Sequence, residues 1–148
     1  SILSLILPMS GIMIIEDNKD LQDIYRHSFE KHGYEVIVEE NGLEGITSVI
    51  KSLPDVILLD LMMPGMDGFG FLRKMKEAGG LSIPVIVCSN ISDADTINKA
   101  LKDGATDVIL KVDYSGKQLV DKVNFLVAEY YHKKVAQETA LEQTASSS

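Results

Sequence analysis

The chain has 148 residues, the length of one ordinary domain, and its 45% hydrophobic and 24% charged side chains exclude a disordered tail, a collagen-like rod and a disulfide miniprotein. Twenty-two acidic against fourteen basic side chains leave a net charge of −8, so the chain is not built to neutralise a phosphate backbone, and action on DNA would need another domain or partner. No apolar stretch approaches the roughly 18 residues that span a bilayer.

Residues 1–9 are apolar up to Pro8, too short for a membrane span and without a basic leader region, and are read as an N-terminal extension. The domain proper is expected over residues 10–131. Five short apolar runs follow in order: Ile12–Ile15, Val36–Val38, Val56–Leu59, Val85–Cys88 and Val108–Leu110. They are nearly continuous and rich in β-branched residues, the pattern of parallel strands covered on both faces.

Amphipathic stretches separate them. The first presents Leu21, Ile24, Tyr25, Ser28 and Phe29 at helical spacing, with Gly33 placed to stop it. The second carries Leu43, Ile46, Val49 and Ile50 before Pro54. The third runs from about Gly68 to Glu77, with Phe69, Leu72 and Met75 inward, and ends at Gly79-Gly80. The fourth opens on a capping box at Ser92–Asp95, continues through Ile97, Ala100 and Leu101, and closes at Gly104. The fifth opens on a second box at Ser115–Gln118 and continues through Leu119, Val123, Leu126, Val127 and Tyr130 to about Glu138. Residues 132–148 are thus a helical extension with a frayed Thr-Ala-Ser-Ser-Ser tail.

Five strand–helix units predict an α/β fold: an open, doubly wound parallel five-stranded sheet with helices on both faces, since a closed barrel needs eight. Ligands in such sheets bind beyond the carboxyl ends of the strands. There the chain places Glu16-Asp17 after the first strand, Asp60 after the third, Ser89-Asn90 after the fourth and Lys111 after the fifth. Any one of these is an ordinary polar residue leaving the core. Together they bring carboxylates, a hydroxyl and a lysine to one edge.

Carboxylates at close range repel unless a cation joins them, and oxygen donors without His or Cys select a hard one, Mg²⁺ or Mn²⁺. A partly hydrated ion beside a lysine suits a phosphoryl group. The nucleotide motifs are missing: there is no P-loop, and no glycine follows the first strand before Gly33. His27, His32 and His132 lack ligand spacing, and Cys88, inside an apolar run, reads as a buried core thiol.

The segments Ile14-Ile15-Glu16-Asp17-Asn18 and Leu58-Leu59-Asp60-Leu61-Met62-Met63-Pro64-Gly65-Met66-Asp67-Gly68, followed by Ser89 and Lys111, resemble the receiver domains of two-component response regulators, the CheY-like superfamily. The resemblance covers roughly Ser10 to Tyr131. It implies flavodoxin-like strand order 2-1-3-4-5, with Asp60 as phosphoacceptor for a sensor histidine kinase or histidine phosphotransfer protein. It also implies that Glu16, Asp17, Asp60 and the Met62 backbone carbonyl hold Mg²⁺, that Lys111 pairs with the phosphoryl oxygens, and that the Ser89 hydroxyl bonds one of them. Pro64 and Gly65 would shape the loop after the acceptor.

By the same resemblance the protein is a cytoplasmic phosphorylation switch rather than a turnover enzyme, with no direct nucleic-acid or membrane contact. The first helix, through Asp20, Gln22, Asp23, Tyr25 and Arg26, would meet the phosphodonor. The fourth helix, fifth strand and fifth helix would meet a downstream effector or a second copy.

Three positions depart from the family's common residues: Val108 where an aromatic switch is frequent, Asn90 beside Ser89, and Val112 where proline usually follows the lysine. A cis bond before a non-proline costs about 3 kcal/mol, so the Lys111–Val112 bond is expected trans. Two rival readings are a non-switching interaction module of the same fold and a small phosphohydrolase using Asp60 as nucleophile. The second lacks an acid two residues on, where Met62 stands, and has no room for a cap.

Overall fold

The computed structural model describes residues 10–63, 66–79 and 82–146. The extension at residues 1–9, the Pro64-Gly65 pair and Gly80 therefore lie outside the described residues. Five strands form, β1 (Gly11–Ile15), β2 (Glu35–Glu39), β3 (Val56–Leu59), β4 (Val85–Ser89) and β5 (Asp107–Leu110). They pair in parallel in the order β2-β1-β3-β4-β5, as expected. The helices are α1 (Lys19–Lys31), α2 (Gly42–Ser52), α3 (Gly68–Glu77), α4 (Ala94–Lys102) and α5 (Gly116–Ser146), with a 3₁₀ turn over Lys111–Asp113.

Because side chains alternate across a strand, each strand feeds both faces of the sheet. Ile12, Ile14, Leu58, Ile86, Cys88 and Ile109 point to one face, where Tyr25 and Phe29 of α1 and Leu119, Val120, Val123 and Leu126 of α5 cover them. Met13, Ile15, Ile57, Leu59, Val85 and Val87 point to the other, against Val49 of α2, Phe71, Leu72 and Met75 of α3 and Ala100 of α4. The three inner strands β1, β3 and β4 are buried almost throughout because neither face meets water, whereas the edge strands β2 and β5 are half-exposed. Truncating a fully buried ring such as Phe71 to alanine would cost about 3–5 kcal/mol.

Local chemistry sets the helix ends. The side chains of Asn18, Asn41, Asp67 and Asp93 accept the N–H of Leu21, Glu44, Gly70 and Thr96, each three residues on. The cap of α4 is thus Asp93 and not Ser92: its carboxylate takes both the N–H and the hydroxyl of Thr96, at 2.9 and 2.7 Å. Gly33 closes α1 at φ +92°, as its position suggested.

In two helices the buried face departs in part from the apolar pattern, although Tyr25, Ser28, Phe29 and Val49 are buried as the spacing suggests. In α1, Gln22 is buried and Ile24 is exposed. In α2, Gly42, Gly45 and Val49 face inward while Leu43 and Ile50 are each 63% exposed. The reason is close approach: a Cβ on Gly45 would lie 2.6 Å from the Ile15 Cδ1, so the glycine side alone lets α2 lie on the sheet.

Helix α5 runs past the expected end near Glu138 and includes Thr144 to Ser146, so that part of the tail is helical and not frayed. Residues 132–146 are rich in Ala, Lys, Glu and Gln and hold no Gly or Pro to stop the helix. The Tyr131 hydroxyl ties α5 to the base of the sheet by donating to the Asp55 carbonyl at 2.8 Å, while the Asp55 carboxylate accepts the Gly11 N–H at 2.7 Å. Among the described residues no helix is long and apolar enough to cross a membrane.

Candidate functional site

Two backbone hydrogen bonds continue the ladder past the strand ends and set the site. The Glu16 N–H donates to the Glu39 carbonyl at 3.0 Å, and the Asp60 N–H donates to the Ile15 carbonyl at 3.0 Å. Glu16 and Asp60 are thereby fixed side by side where β1 and β3 leave the core. Glu16, Asp17 and Asp60 each bring a carboxylate oxygen within 4.8 Å of the others. Glu16 is 2% exposed, whereas Asp17 is open to solvent.

Lys111 enters from the end of β5. Its Nζ lies 3.0 Å from Glu16 Oε1 and 3.6 Å from Asp60 Oδ1. Burial pushes the Glu16 carboxyl up to about 7, helped by the neighbouring Asp60 carboxyl and opposed by Lys111. Burial pulls the Lys111 ammonium down, but the Glu16 and Asp60 carboxylates outweigh it, so the net displacement is upward. The second Glu16 oxygen, Oε2, is buried with no hydrogen-bond partner. A buried carboxylate oxygen without a donor is costly, and a cation drawn in by three carboxylates would satisfy it. Hard oxygen donors fit Mg²⁺ or Mn²⁺.

The acceptor loop is held from both ends. The Met62 N–H reaches Asp60 Oδ1 at 3.4 Å, and the Gly68 N–H donates to the Leu61 carbonyl at 2.9 Å. A Cβ on Gly68 would lie 2.5 Å from the Leu61 Cα and 2.6 Å from the Asp60 carbonyl oxygen. Only glycine permits α3 to start against the backbone of the acceptor itself.

Ser89 is the last residue of β4, is 2% exposed and pairs in register with Leu110, the neighbour of Lys111. Its hydroxyl accepts the Ile91 N–H at 3.2 Å. Asn90 is exposed beside it. Val112, 79% exposed, lies in the 3₁₀ turn, and none of the described peptide bonds is cis. Val108 is half-buried against the α2–α4 side of the core.

Two supporting residues were not singled out as such from the sequence. The buried Gln22 amide donates to the Glu16 backbone carbonyl. The Tyr25 hydroxyl lies 3.9 Å from Cys88 Sγ beneath the site, among residues that include Glu16, Asp60 and Lys111. The signal was their spacing: 22, 25 and 29 lie on one helical face, and the polar Gln22 was placed outward by its type. Both are too buried to belong to an exposed docking face, which leaves Asp20, Asp23 and Arg26 of that expected set in solvent. Burial pushes the Cys88 thiol up to about 11, so it stays protonated, as a core thiol should.

Comparison with known proteins places these features in context. The profile of the response regulator receiver domain matches residues 12–124. A curated relative, the response regulator SaeR of Staphylococcus aureus, is 35% identical over 133 residues, 87% of this chain and 57% of the relative. The chain thus spans a little over half the length of the curated relatives it matches. Among solved structures, the signal receiver domain of a signal transduction histidine kinase from Syntrophus aciditrophicus is 31% identical with a TM-score of 0.73, covering 81% of this chain and 91% of that one. The BeF3-activated N-terminal receiver domain of RstA from Klebsiella pneumoniae is 26% identical with a TM-score of 0.72, covering 79% of this chain and 97% of that one.

Proposed function

This chain belongs to the response regulator receiver family, and from that premise we propose that it is a phosphorylation switch in which Asp60 accepts a phosphoryl group from a phosphohistidine donor. The observation that carries the reading is the convergence of Glu16, Asp17, Asp60 and Lys111 at one sheet edge, with a buried Glu16 oxygen left unpaired.

An Asp60 carboxylate oxygen would attack phosphorus in line. The bond from phosphorus to the donor imidazole nitrogen then breaks, and its electron pair leaves with the imidazole. Lys111, 3.6 Å from Asp60 Oδ1, offsets charge on the transferring oxygens. Glu16, Asp17, Asp60 and the Met62 carbonyl would hold Mg²⁺ or Mn²⁺, which supplies further positive charge to the phosphoryl oxygens. Gly68 keeps the acceptor backbone pressed against α3, limiting the loop's freedom. Ser89 would exchange its bond from Ile91 for one to a phosphoryl oxygen.

The product is a mixed anhydride that water cleaves, so the mark is temporary and the chain is a switch, not a turnover catalyst. With Val108 in place of an aromatic, readout would pass through the loop after Ser89 and through α4 to a downstream effector on the α4–β5–α5 side. Any DNA contact would belong to another domain, given the charge of −8. The setting is the cytoplasm, with a sensor histidine kinase or phosphotransfer protein as donor.

The test is intact mass after incubation with acetyl phosphate, with and without Mg²⁺. A Mg²⁺-dependent gain of one phosphoryl group supports the reading. No gain, while a known receiver is labelled in parallel, supports a non-switching module instead.

A further inference from the structure

The three carboxylates of the site are not held alike. Glu16 and Asp60 lie within reach of Lys111, at 3.0 and 3.6 Å, and each is anchored by a backbone bond that continues the sheet. Asp17 is exposed, and its carboxylate makes no ion pair among the described residues. It nevertheless brings an oxygen within 4.8 Å of the other two. What places Asp17 is therefore the backbone that leads into it, the Glu16–Asp17 peptide.

A peptide group is planar, so fixing its carbonyl fixes the direction in which the next Cα leaves. The Glu16 carbonyl lies just past the last residue of β1 and receives no backbone donor among the described residues. Its donor is the Gln22 side-chain amide. Gln22 is 8% exposed, and its own backbone N–H donates to the Asn18 carbonyl at 2.9 Å. The Asn18 side chain accepts the Leu21 N–H at 3.0 Å, so the first turn of α1 closes over the connection and returns the amide to the strand end. A neutral amide supplies this donor without adding a charge that would compete with a cation for the carboxylates.

We propose that Gln22 is a positioning residue for the cation. By holding the Glu16 carbonyl, its amide sets where Asp17 stands relative to Glu16 and Asp60, and so how tightly the three carboxylates hold Mg²⁺. This role rests on Glu16, Asp17 and Asp60 holding Mg²⁺, as proposed above. Groups that orient a metal's ligands without touching the metal commonly change its affinity by about 10–100-fold.

Calorimetric titration of the full chain with Mg²⁺ alone tests this, with circular dichroism showing that each variant is folded. Gln22→Met keeps the length and the apolar stem but has no N–H, and should weaken Mg²⁺ binding by about tenfold. Gln22→Asn keeps the amide but is one methylene too short to reach, and should weaken it similarly. Phe29→Leu loosens the same buried face of α1 without touching Glu16, and should leave the affinity within about twofold of the unsubstituted chain. Gln22→Met binding as tightly as the unsubstituted chain would overturn the proposal. So would an equal loss in Phe29→Leu, since affinity would then follow the packing of α1 and not the one bond. An unsubstituted chain that binds no Mg²⁺ would remove the metal site itself, and this role with it.

Discussion

Gly68→Ala is the sharpest structural perturbation of the acceptor loop. Inside an exposed helix, glycine-to-alanine normally gains up to about 1 kcal/mol from a stiffer unfolded chain. Here the new methyl would fall 2.5 Å from the Leu61 Cα and 2.6 Å from the Asp60 carbonyl oxygen, both backbone atoms that cannot rotate away. Restoring an ordinary contact requires the start of α3 or the Asp60–Leu61 backbone to shift by about 1 Å, which falls within the 1–3 kcal/mol of overpacking, near its upper end. The same displacement moves the acceptor relative to Lys111, and misplacement of that size can slow a reaction by about 100-fold. Gly70→Ala is the matched control, because its nearest neighbour is the flexible Met66 side chain at 3.0 Å. Urea unfolding followed by far-ultraviolet circular dichroism, with acetyl phosphate labelling rates on the same samples, separates the two effects. The reasoning is refuted if Gly68→Ala matches Gly70→Ala in both stability and labelling.

Other consequences follow from the site and its supports. Glu16 must be ionised to hold a cation, and with its carboxyl near 7, Mg²⁺ affinity by calorimetry should be about tenfold weaker at pH 6 than at pH 8. Without metal the sign for stability is opposite: a carboxyl raised above its unfolded value favours the fold most below about 4.5, and that contribution declines as pH rises through 7. Lys111→Met removes the cation that pairs with Glu16 among the described residues, so the Glu16 titration followed by carbon-13 NMR should move further up. Tyr131→Phe deletes the bond to the Asp55 carbonyl and should cost about 1 kcal/mol, with faster amide exchange at the base of α5. Cys88, buried and with its thiol pushed up to about 11, should resist iodoacetamide at neutral pH until the chain is unfolded.

Much of this was legible in the sequence because parallel strands leave nearly continuous apolar runs, and the site lies one residue beyond each run except the second. Glu16, Asp60, Ser89 and Lys111 could be placed at one edge by counting alone. The faces of α1 and α2 were less legible because hydropathy assigns leucine and isoleucine inward by type. Gly45 is inward because α2 approaches Ile15 too closely for a Cβ, and Gln22 is inward because its amide has the Glu16 carbonyl to bond. The length of α5 escaped for another reason: apolar periodicity fades after Tyr131, while helix propensity continues without it. The cap of α4 moved by one residue because Thr96 offers Asp93 two donors.

The central claim is that Asp60 itself is the acceptor, and borohydride trapping tests it most directly. An aspartyl phosphate is reduced by borohydride to the alcohol, so peptide mass spectrometry after treatment with acetyl phosphate and Mg²⁺ should find homoserine at position 60. Asp60→Asn should yield none. Homoserine at Asp17 or another acidic position, or none at position 60 in protein that carries the added phosphoryl mass, would contradict the account.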